Sequence, residues 1–563
     1  MSTHRRALEL PEILIQVGRF LPKASLCACL RVCASFHTAL SPLLYQQAIH
    51  PPTSTGAPES SIANYAHSVR DLNLHSGSSI DLMSKGFTNL HCFYFRALES
   101  LWGVELDDTL SNIVLNNPGL KRFTLDIFGA NITSKFWKTL FQARGGLDEN
   151  GAVVGEAPGL TTGLKLRYMD SLVFSRLTIN SESYPWFVRV CALTHRLDLE
   201  NIRFTPAEPE KDIPFDIGQY LPPTPLPCVF VRFRSSGQPL CDQVEFLSRC
   251  TNAREIRFPS FQWHECPAND SHRRMNSITL ESWRNTVKKH TWPHLQDIIL
   301  GKQDMRNMDV DMDTTTDKAI SHALDSIHCS QLTSFNGFAS GVGLKTVLSL
   351  RPQHLSLLSL TLLDCPGVPS SGIQLILECF PRLVELEVDQ LNIHDIRMGQ
   401  PWVCTSLKTL SVKVVITCKE FEQEPAGTNA TLAIEGGEGL TAEEKALKDH
   451  RLVFERLSAL SSLERLTLPR HMRADDEAIS DGLELRLAFG LNCLTTLTRL
   501  EYVDIGASST GLEMEDVEWM VFNWPRLECL RASLLHPDED KNDELEGYLL
   551  ERGIDIPYSY SWY

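Results

Sequence analysis

The sequence lacks any run of about eighteen apolar residues, so no segment reads as a membrane-spanning helix. It lacks a signal-peptide pattern too: "MSTHRRALELPEILIQ" is basic at its start, but Glu9 and Glu12 interrupt what would be the apolar stretch. An address in the cytoplasm or nucleus is expected. Positive charge is in deficit. A formal net charge of −17 over 563 residues argues against nucleic acid or an anionic membrane as the main partner. Cys-x-x-Cys is missing although there are sixteen cysteines. In a reducing compartment these read as small buried hydrophobes, and glycosylation at Asn131, Asn269 and Asn429 is not expected.

Signatures of chemistry are also missing. The trio Cys27, Cys29 and Cys33 is close in sequence, but Cys27 and Cys29 fall on nearly opposite faces of a helix, so packing is expected rather than metal. "DVDMDTTTDKAI" opens like a calcium loop at Asp309, Asp311 and Asp313, yet has Thr314 at the sharp turn and Ile320 in place of the closing glutamate. "GVGLKT", residues 341–346, has the wrong spacing for a phosphate loop, with Leu344 before Lys345. In "WHECP", His264, Glu265 and Cys266 are adjacent, and adjacent residues rarely converge on one substrate atom. No cofactor, no metal and no catalytic residue are expected.

What is present is repetition. "NNPGLKRFTL", "TWPHLQDIIL", "CFPRLVELEV" and "NWPRLECLRA" share the frame apolar-x-x-apolar-x-apolar behind Pro118, Pro293, Pro381 and Pro525. The frame recurs at Val69/Leu72/Leu74, Leu90/Phe93/Phe95, Ala253/Ile256/Phe258, Leu355/Leu358/Leu360, Leu407/Leu410/Val412, Leu463/Leu466/Leu468 and Leu497/Leu500/Tyr502. Weaker copies centre on Leu172/Phe174, Leu197/Leu199, Val231/Phe233 and Leu332/Phe335. First positions at 355, 383, 407, 463, 497 and 527 give steps of 28, 24, 56, 34 and 30, the step of 56 reading as about two units with an insertion. This is leucine-rich-repeat spacing. Period-2 alternation buries the last two apolar residues of each short strand and turns the residue between them outward. The proline ends the preceding helix, as after Ile373, Ile376, Leu377 and Phe380, and again after Val517, Met520, Val521 and Trp524. One unit cannot bury its apolar face alone, so units must stack. The expected fold is α/β: an irregular solenoid at 63–535, with a curved parallel sheet and helices on the convex side. Pro-, Gly- and charge-rich insertions are expected near 143–160, 206–227 and 420–445. A cap is expected at 536–563, where Tyr558, Tyr560, Trp562 and Tyr563 alternate.

Ahead of the repeats, residues 8–50 read as three short helices, with a linker at 51–62. Pro11 and Glu12 suit a helix start, and Ile13, Leu14, Val17, Phe20 and Leu21 form one stripe that Pro22 closes. Leu26, Cys29, Leu30 and Cys33 continue a second stripe, and Val32, Phe36 and Leu40 a third. So small a bundle has more apolar side chains than it can bury, and a bound partner would resolve that.

The Leu10-Pro11 opening, Ile13, Val17, Leu21, Leu26, Leu30, the Val32-Cys33 pair and Phe36 resemble an F-box. Phe36 stands where tryptophan is frequent, and the first helix is one residue shorter than the common pattern. With the repeats, the chain resembles the F-box/leucine-rich-repeat proteins, a group expanded in fungi. The resemblance implies a non-catalytic substrate receptor of a cullin–RING (SCF-type) ubiquitin ligase. In that role the ten residues just named dock on the adaptor, which joins the cullin, and the repeats hold a protein substrate. The alternative is a protein-interaction scaffold whose degenerate F-box no longer engages the ligase.

The outward strand residues are the natural contact set for a substrate. The alternation selects Glu385, Glu387 and Asp389, then Ser411 and Lys413, Arg465 and Thr467, Arg499 and Glu501, and Arg531. Of these, Glu387, Asp389, Lys413, Arg465, Arg499, Glu501 and Arg531 are the expected substrate-binding set. Arg122, Thr124 and Asp126, then Arg196, Asp198 and Glu200, then Arg232 and Arg234 hold equivalent places nearer the N-terminus. The mixed signs suit a polypeptide better than nucleic acid.

Overall fold

The structure is a computed structural model. It describes residues 10–50, 59–75, 80–97, 106–128, 132–145, 168–180, 182–205, 225–234, 246, 249–258, 292–300, 317–318, 320–321, 324–325, 331–338, 340–416, 441–468, 482–506, 511–532 and 535–557. The calcium-loop-like Asp309–Asp313, the "WHECP" stretch, the three sequons, residues 558–563 and most of each expected insertion lie outside these. The chain forms two compact units, residues 1–259 with 266–294, and residues 260–265 with 295–563.

In the first unit, parallel strands run in the order β1 (Gln47–His50), β2 (Asp71–Leu74), β3 (Cys92–Ala97), β4 (Arg122–Ile127), β5 (Ser171–Ser175), β7 (Arg196–Glu200), β9 (Phe230–Arg234) and β10 (Glu255–Phe258). A side pair, β6 (Thr178–Asn180) and β8 (Arg203–Thr205), forms its own two-stranded sheet. Leu72, Phe93, Phe123, Leu172, Leu197, Val231 and Ile256 stand opposite one another in register, so the repeat frame is the register of the sheet. Helices pack on this buried side: Phe136 and Trp137 of a helix at Ser134–Ala143 meet Phe123 at 5.9 Å and Phe174 at 5.1 Å. The core here is aromatic. Buried Asn117, which ends the helix Asp107–Asn116 ahead of Pro118, accepts from the Leu90 amide at 2.6 Å and donates to the Phe87 and Ile113 carbonyls at 2.8 and 2.7 Å.

In the second unit, the strands follow chain order: β11 (Asp297–Leu300), β12 (Ser334–Asn336), β13 (Ser359–Leu362), β14 (Glu385–Asn392), β15 (Thr409–Val415), β16 (Arg465–Thr467), β17 (Tyr502–Asp504) and β18 (Cys529–Arg531). The buried ladder is Ile298, Phe335, Leu360, Leu386, Leu410, Leu466, Val503 and Leu530. The helices Ser370–Cys379 and Met514–Asn523 stop just ahead of Pro381 and Pro525, as the spacing predicts. Each unit is therefore an α/β leucine-rich-repeat solenoid.

Several expectations are corrected. The rung at β13 is Leu357/Leu360/Leu362, because Leu357 is fully buried whereas Leu355 is 58% exposed. At β17 the rung is Leu500/Val503/Ile505, since Val503 stands opposite Leu466 and Leu530. The step of 56 residues is one rung and not two, because β15 pairs directly with β16. The stretch 420–445 does not end as a loop: Thr441 caps a seventeen-residue helix, Ala442–Ser458, through a capping box with Glu444. Residues 47–50 belong to the sheet as β1. Past β18, the helix Glu539–Glu551 buries Leu545 and Leu549, and Asp555 bridges to Cys529.

A buried or half-buried acid joins successive repeats. The Asp107 carboxylate accepts from the Thr133 amide at 3.0 Å and from the Thr133 hydroxyl, just ahead of the helix Ser134–Ala143. Asp389 accepts from the Asp364 and Cys365 amides, both at 2.8 Å. Asp516 accepts from the Leu487 amide at 2.8 Å. These pairs lie about one repeat apart in sequence.

Candidate docking surfaces

The N-terminal helices are α1 (Pro11–Gly18), α2 (Lys23–Cys29) and α3 (Ala34–Leu44). Pro11 begins α1, with Leu10 extended before it and Glu12 in the first turn, where its charge complements the helix dipole. Gly18 is buried where α1 packs on α3. A Cβ there would lie 2.6 Å from methyls of Leu40 and Leu43, so a larger residue would require those two side chains to shift. Leu14 turns inward beside Leu26, Ala39 and Leu40, with Leu21, Leu30 and Phe36 packed around them. Other residues of the first stripe face out, Ile13 being 36% exposed, Val17 47% and Phe20 87%, as does Val32 of the third at 65%.

The ten residues of the expected docking set therefore divide. Pro11, Ile13, Val17, Val32 and Cys33 are exposed. Leu10, Leu21, Leu30 and Phe36 are half-buried, and Leu26 is a core residue. Phe20, just past the end of α1, is the most exposed of these apolar residues and belongs to the stripe, yet lies outside the expected docking set. Cys27 and Cys33 are exposed, against the expectation that this trio packs. No group of three His, Cys, Asp or Glu able to hold a metal occurs among the described residues.

The second surface is the outward side of the strands. Here Glu385 accepts from the Ser359 hydroxyl at 3.1 Å, Glu387 from that of Thr361 at 3.4 Å, and Asp389 is engaged by backbone amides. Lys413 is a half-exposed outward residue of β15. Arg465 lies with its guanidinium 4.3 Å from the Tyr502 ring. The Tyr502 hydroxyl donates to Asp504 at 3.3 Å, and Arg531 approaches the same carboxylate at 3.7 Å. Burial, and Asp504 after it, raise the Tyr502 phenol above its usual range, while Arg531 beside it lowers it. Arg499 and Glu501 precede β17, so the outward residues of that strand are Tyr502 and Asp504 instead. The register, set by Val503, moved them.

In the first unit the row is denser. Asp126 pairs with Arg96 at 3.2 Å and Arg176 at 2.6 Å, and Arg232 pairs with Asp198 at 3.0 Å. Arg122 donates to Cys92 at 3.0 Å, and burial first, then Asp71, pushes that thiol up. An open cleft of about 540 Å³ at the start of β2–β4 is lined by Arg70, Asp71, His91, Cys92, Lys121 and Arg122, among others.

The "GVGLKT" stretch has a structural explanation. Its amides at Gly343, Lys345 and Thr346 point at the Asp317 carboxylate, at 2.9, 3.0 and 2.9 Å, and the Thr346 hydroxyl donates to it at 2.7 Å. A protein carboxylate thus fills the position a phosphate would need. No helix among the described residues is long and apolar enough to cross a membrane.

No family model and no curated protein sequence matches the chain. Among solved structures, an internalin from Listeria monocytogenes is similar at 10% identity and a TM-score of 0.31, over 93% of this chain and 94% of that one. A Rad7 and Elc1 complex in yeast is similar at 14% identity and a TM-score of 0.32, over 68% of this chain and 87% of that one. At these TM-scores neither likeness bears on function.

Proposed function

We propose that the chain is the substrate-recognition subunit of a cullin–RING (SCF-type) ubiquitin ligase, working in the cytoplasm or nucleus. Its N-terminal helices dock on the adaptor and its repeats hold a protein substrate. The observation behind this reading is the outer face of the helical bundle. The bundle closes a core of its own yet leaves Ile13, Val17, Phe20 and Val32 outside. Full burial of each such side chain is worth about 1.5–3 kcal/mol, which a docked partner would supply. The receptor then performs no chemistry; it raises the effective concentration of substrate lysines beside the charged enzyme.

One observation favours the alternative of a scaffold outside the ligase. Leu26, Leu21, Leu30 and Phe36, expected in the docking set, are drawn into the bundle. Co-purification from cells separates the two readings. In the receptor reading, wild type captures adaptor and cullin, while Val17→Asp/Val32→Asp loses both and keeps its helical circular dichroism. Absence of adaptor and cullin from the wild-type eluate would leave the scaffold.

A further inference from the structure

The outward row of the first unit holds an arrangement that pairing of charges alone does not explain. Across β7, β9 and β10, Arg196, Phe230 and Glu255 stand side by side in register, with Asp198, Arg232 and Arg257 in the next outward row. Three guanidiniums approach the one ring: Arg196 at 4.2 Å from its centroid, Arg232 at 5.6 Å and Arg257 at 5.7 Å. Asp198 takes Arg232, and Glu255 takes Arg257. Arg232 and Arg257 each have a carboxylate, whereas the exposed Arg196 has no acidic partner among the described residues.

A guanidinium stacked on a ring is held by its face, which leaves its in-plane N–H donors directed away. Those donors match the two oxygens of a carboxylate or phosphate. The second unit repeats the device: Arg465 lies 4.3 Å from the Tyr502 ring, and in the next outward row Asp504 meets Arg531. Its recurrence on separate strands makes it a feature of the recognition row.

We infer that Arg196, held on Phe230, is an anchor for an acidic side chain of a bound polypeptide, a carboxylate or a phosphorylated residue. The inference deepens the proposed function and rests on its claim that the repeats hold a polypeptide, though not on adaptor binding. The chain's net charge of −17 does not oppose it, because charges beyond about 8 Å are largely screened at physiological salt.

The test uses the full chain and three fluorescein-labelled nonapeptides of alternating glycine with glutamate, phosphoserine or lysine, followed by anisotropy at physiological salt. The glutamate or the phosphoserine probe should bind, and the tighter of the two identifies the anion. The lysine probe should not. Arg196→Ala should weaken binding tenfold or more. Arg196→Lys keeps the charge but loses the fork and the stack, and it should weaken binding severalfold, as should Phe230→Leu. Arg254→Ala, the same charge change at an exposed position ahead of β10, should leave binding unchanged. Failure of both acidic probes on wild type, or equal binding by Arg196→Lys, overturns the anchor. Adaptor co-purification by Arg196→Lys should match wild type, so collapse of the adaptor reading and collapse of this one are seen separately.

Discussion

Leu355 and Leu357 are two residues apart, of one type, and both precede β13, yet the structure gives them opposite fates. Leu357 is fully buried and Leu355 is 58% exposed. Leu357 sits three residues ahead of Leu360, which stands between Phe335 and Leu386 in the ladder. Truncation to alanine at 357 removes buried methyls from a stack that cannot close the gap, and Leu→Ala at such sites costs about 2–5 kcal/mol. At 355 more than half the side chain already meets water, so the loss should stay within about 0.5 kcal/mol, as for surface substitutions generally. The Leu355 carbonyl accepts from Arg382 at 3.1 Å, a backbone group that Leu355→Ala retains. Long repeat arrays do not unfold as one step, so the measurement should be local. Hydrogen exchange of the β13 and β14 amides serves, because ten-fold in opening corresponds to about 1.4 kcal/mol. Leu357→Ala should speed exchange there about 30-fold or more, and Leu355→Ala by less than about threefold. Equal acceleration by the two, or the reverse order, would refute the assigned register.

Asp317→Ala should destabilise the start of the helix Leu344–Leu350 by about 2–4 kcal/mol, read as faster hydrogen exchange of its amides, because the amides of Gly343, Lys345 and Thr346 lose their acceptor together. Asp317→Asn, which keeps one acceptor oxygen, should cost about half as much; no loss in either variant would mean the cap is idle. Iodoacetamide on the native chain should label the exposed Cys27 and Cys33 and spare Cys365 and Cys404. Burial pushes those two thiols up to about 12, so at neutral pH they remain protonated and shielded, and mass spectrometry of the labelled peptides reads the difference. Leu386→Ala should cost about 2–5 kcal/mol, read as faster hydrogen exchange of the amides of β13 to β15, while Glu387→Ala, its outward neighbour, should cost under about 0.5 kcal/mol. Similar losses at 386 and 387 would contradict the facing of β14.

The repeat, the strand facing at most rungs and the proline-ended helices were legible in the sequence because they are local. Alternation within four to six residues decides which side of a strand is apolar, and a proline acts on its immediate neighbours. What the sequence left open was long-range. Leu355, Leu357, Leu358, Leu360 and Leu362 satisfy more than one frame, and only Phe335 and Leu386 on the adjacent strands select Leu360. Tyr502 and Val503 pose the same choice, and Leu466 and Leu530 decide for Val503, which displaces Arg499 and Glu501 from the outward row. The acids that cap a neighbouring repeat, Asp107, Asp317, Asp389 and Asp516, bond across about 25–29 residues, a separation at which no sequence periodicity records a hydrogen bond. In the N-terminal helices the sequence determined that apolar stripes exist, and the packing of Leu14 with Leu26, Ala39 and Leu40 decided which of their residues face water. Composition and spacing thus determined the kind of fold, while contacts between repeats chose register, caps and exposed residues, because those depend on atoms that meet only once the chain has stacked.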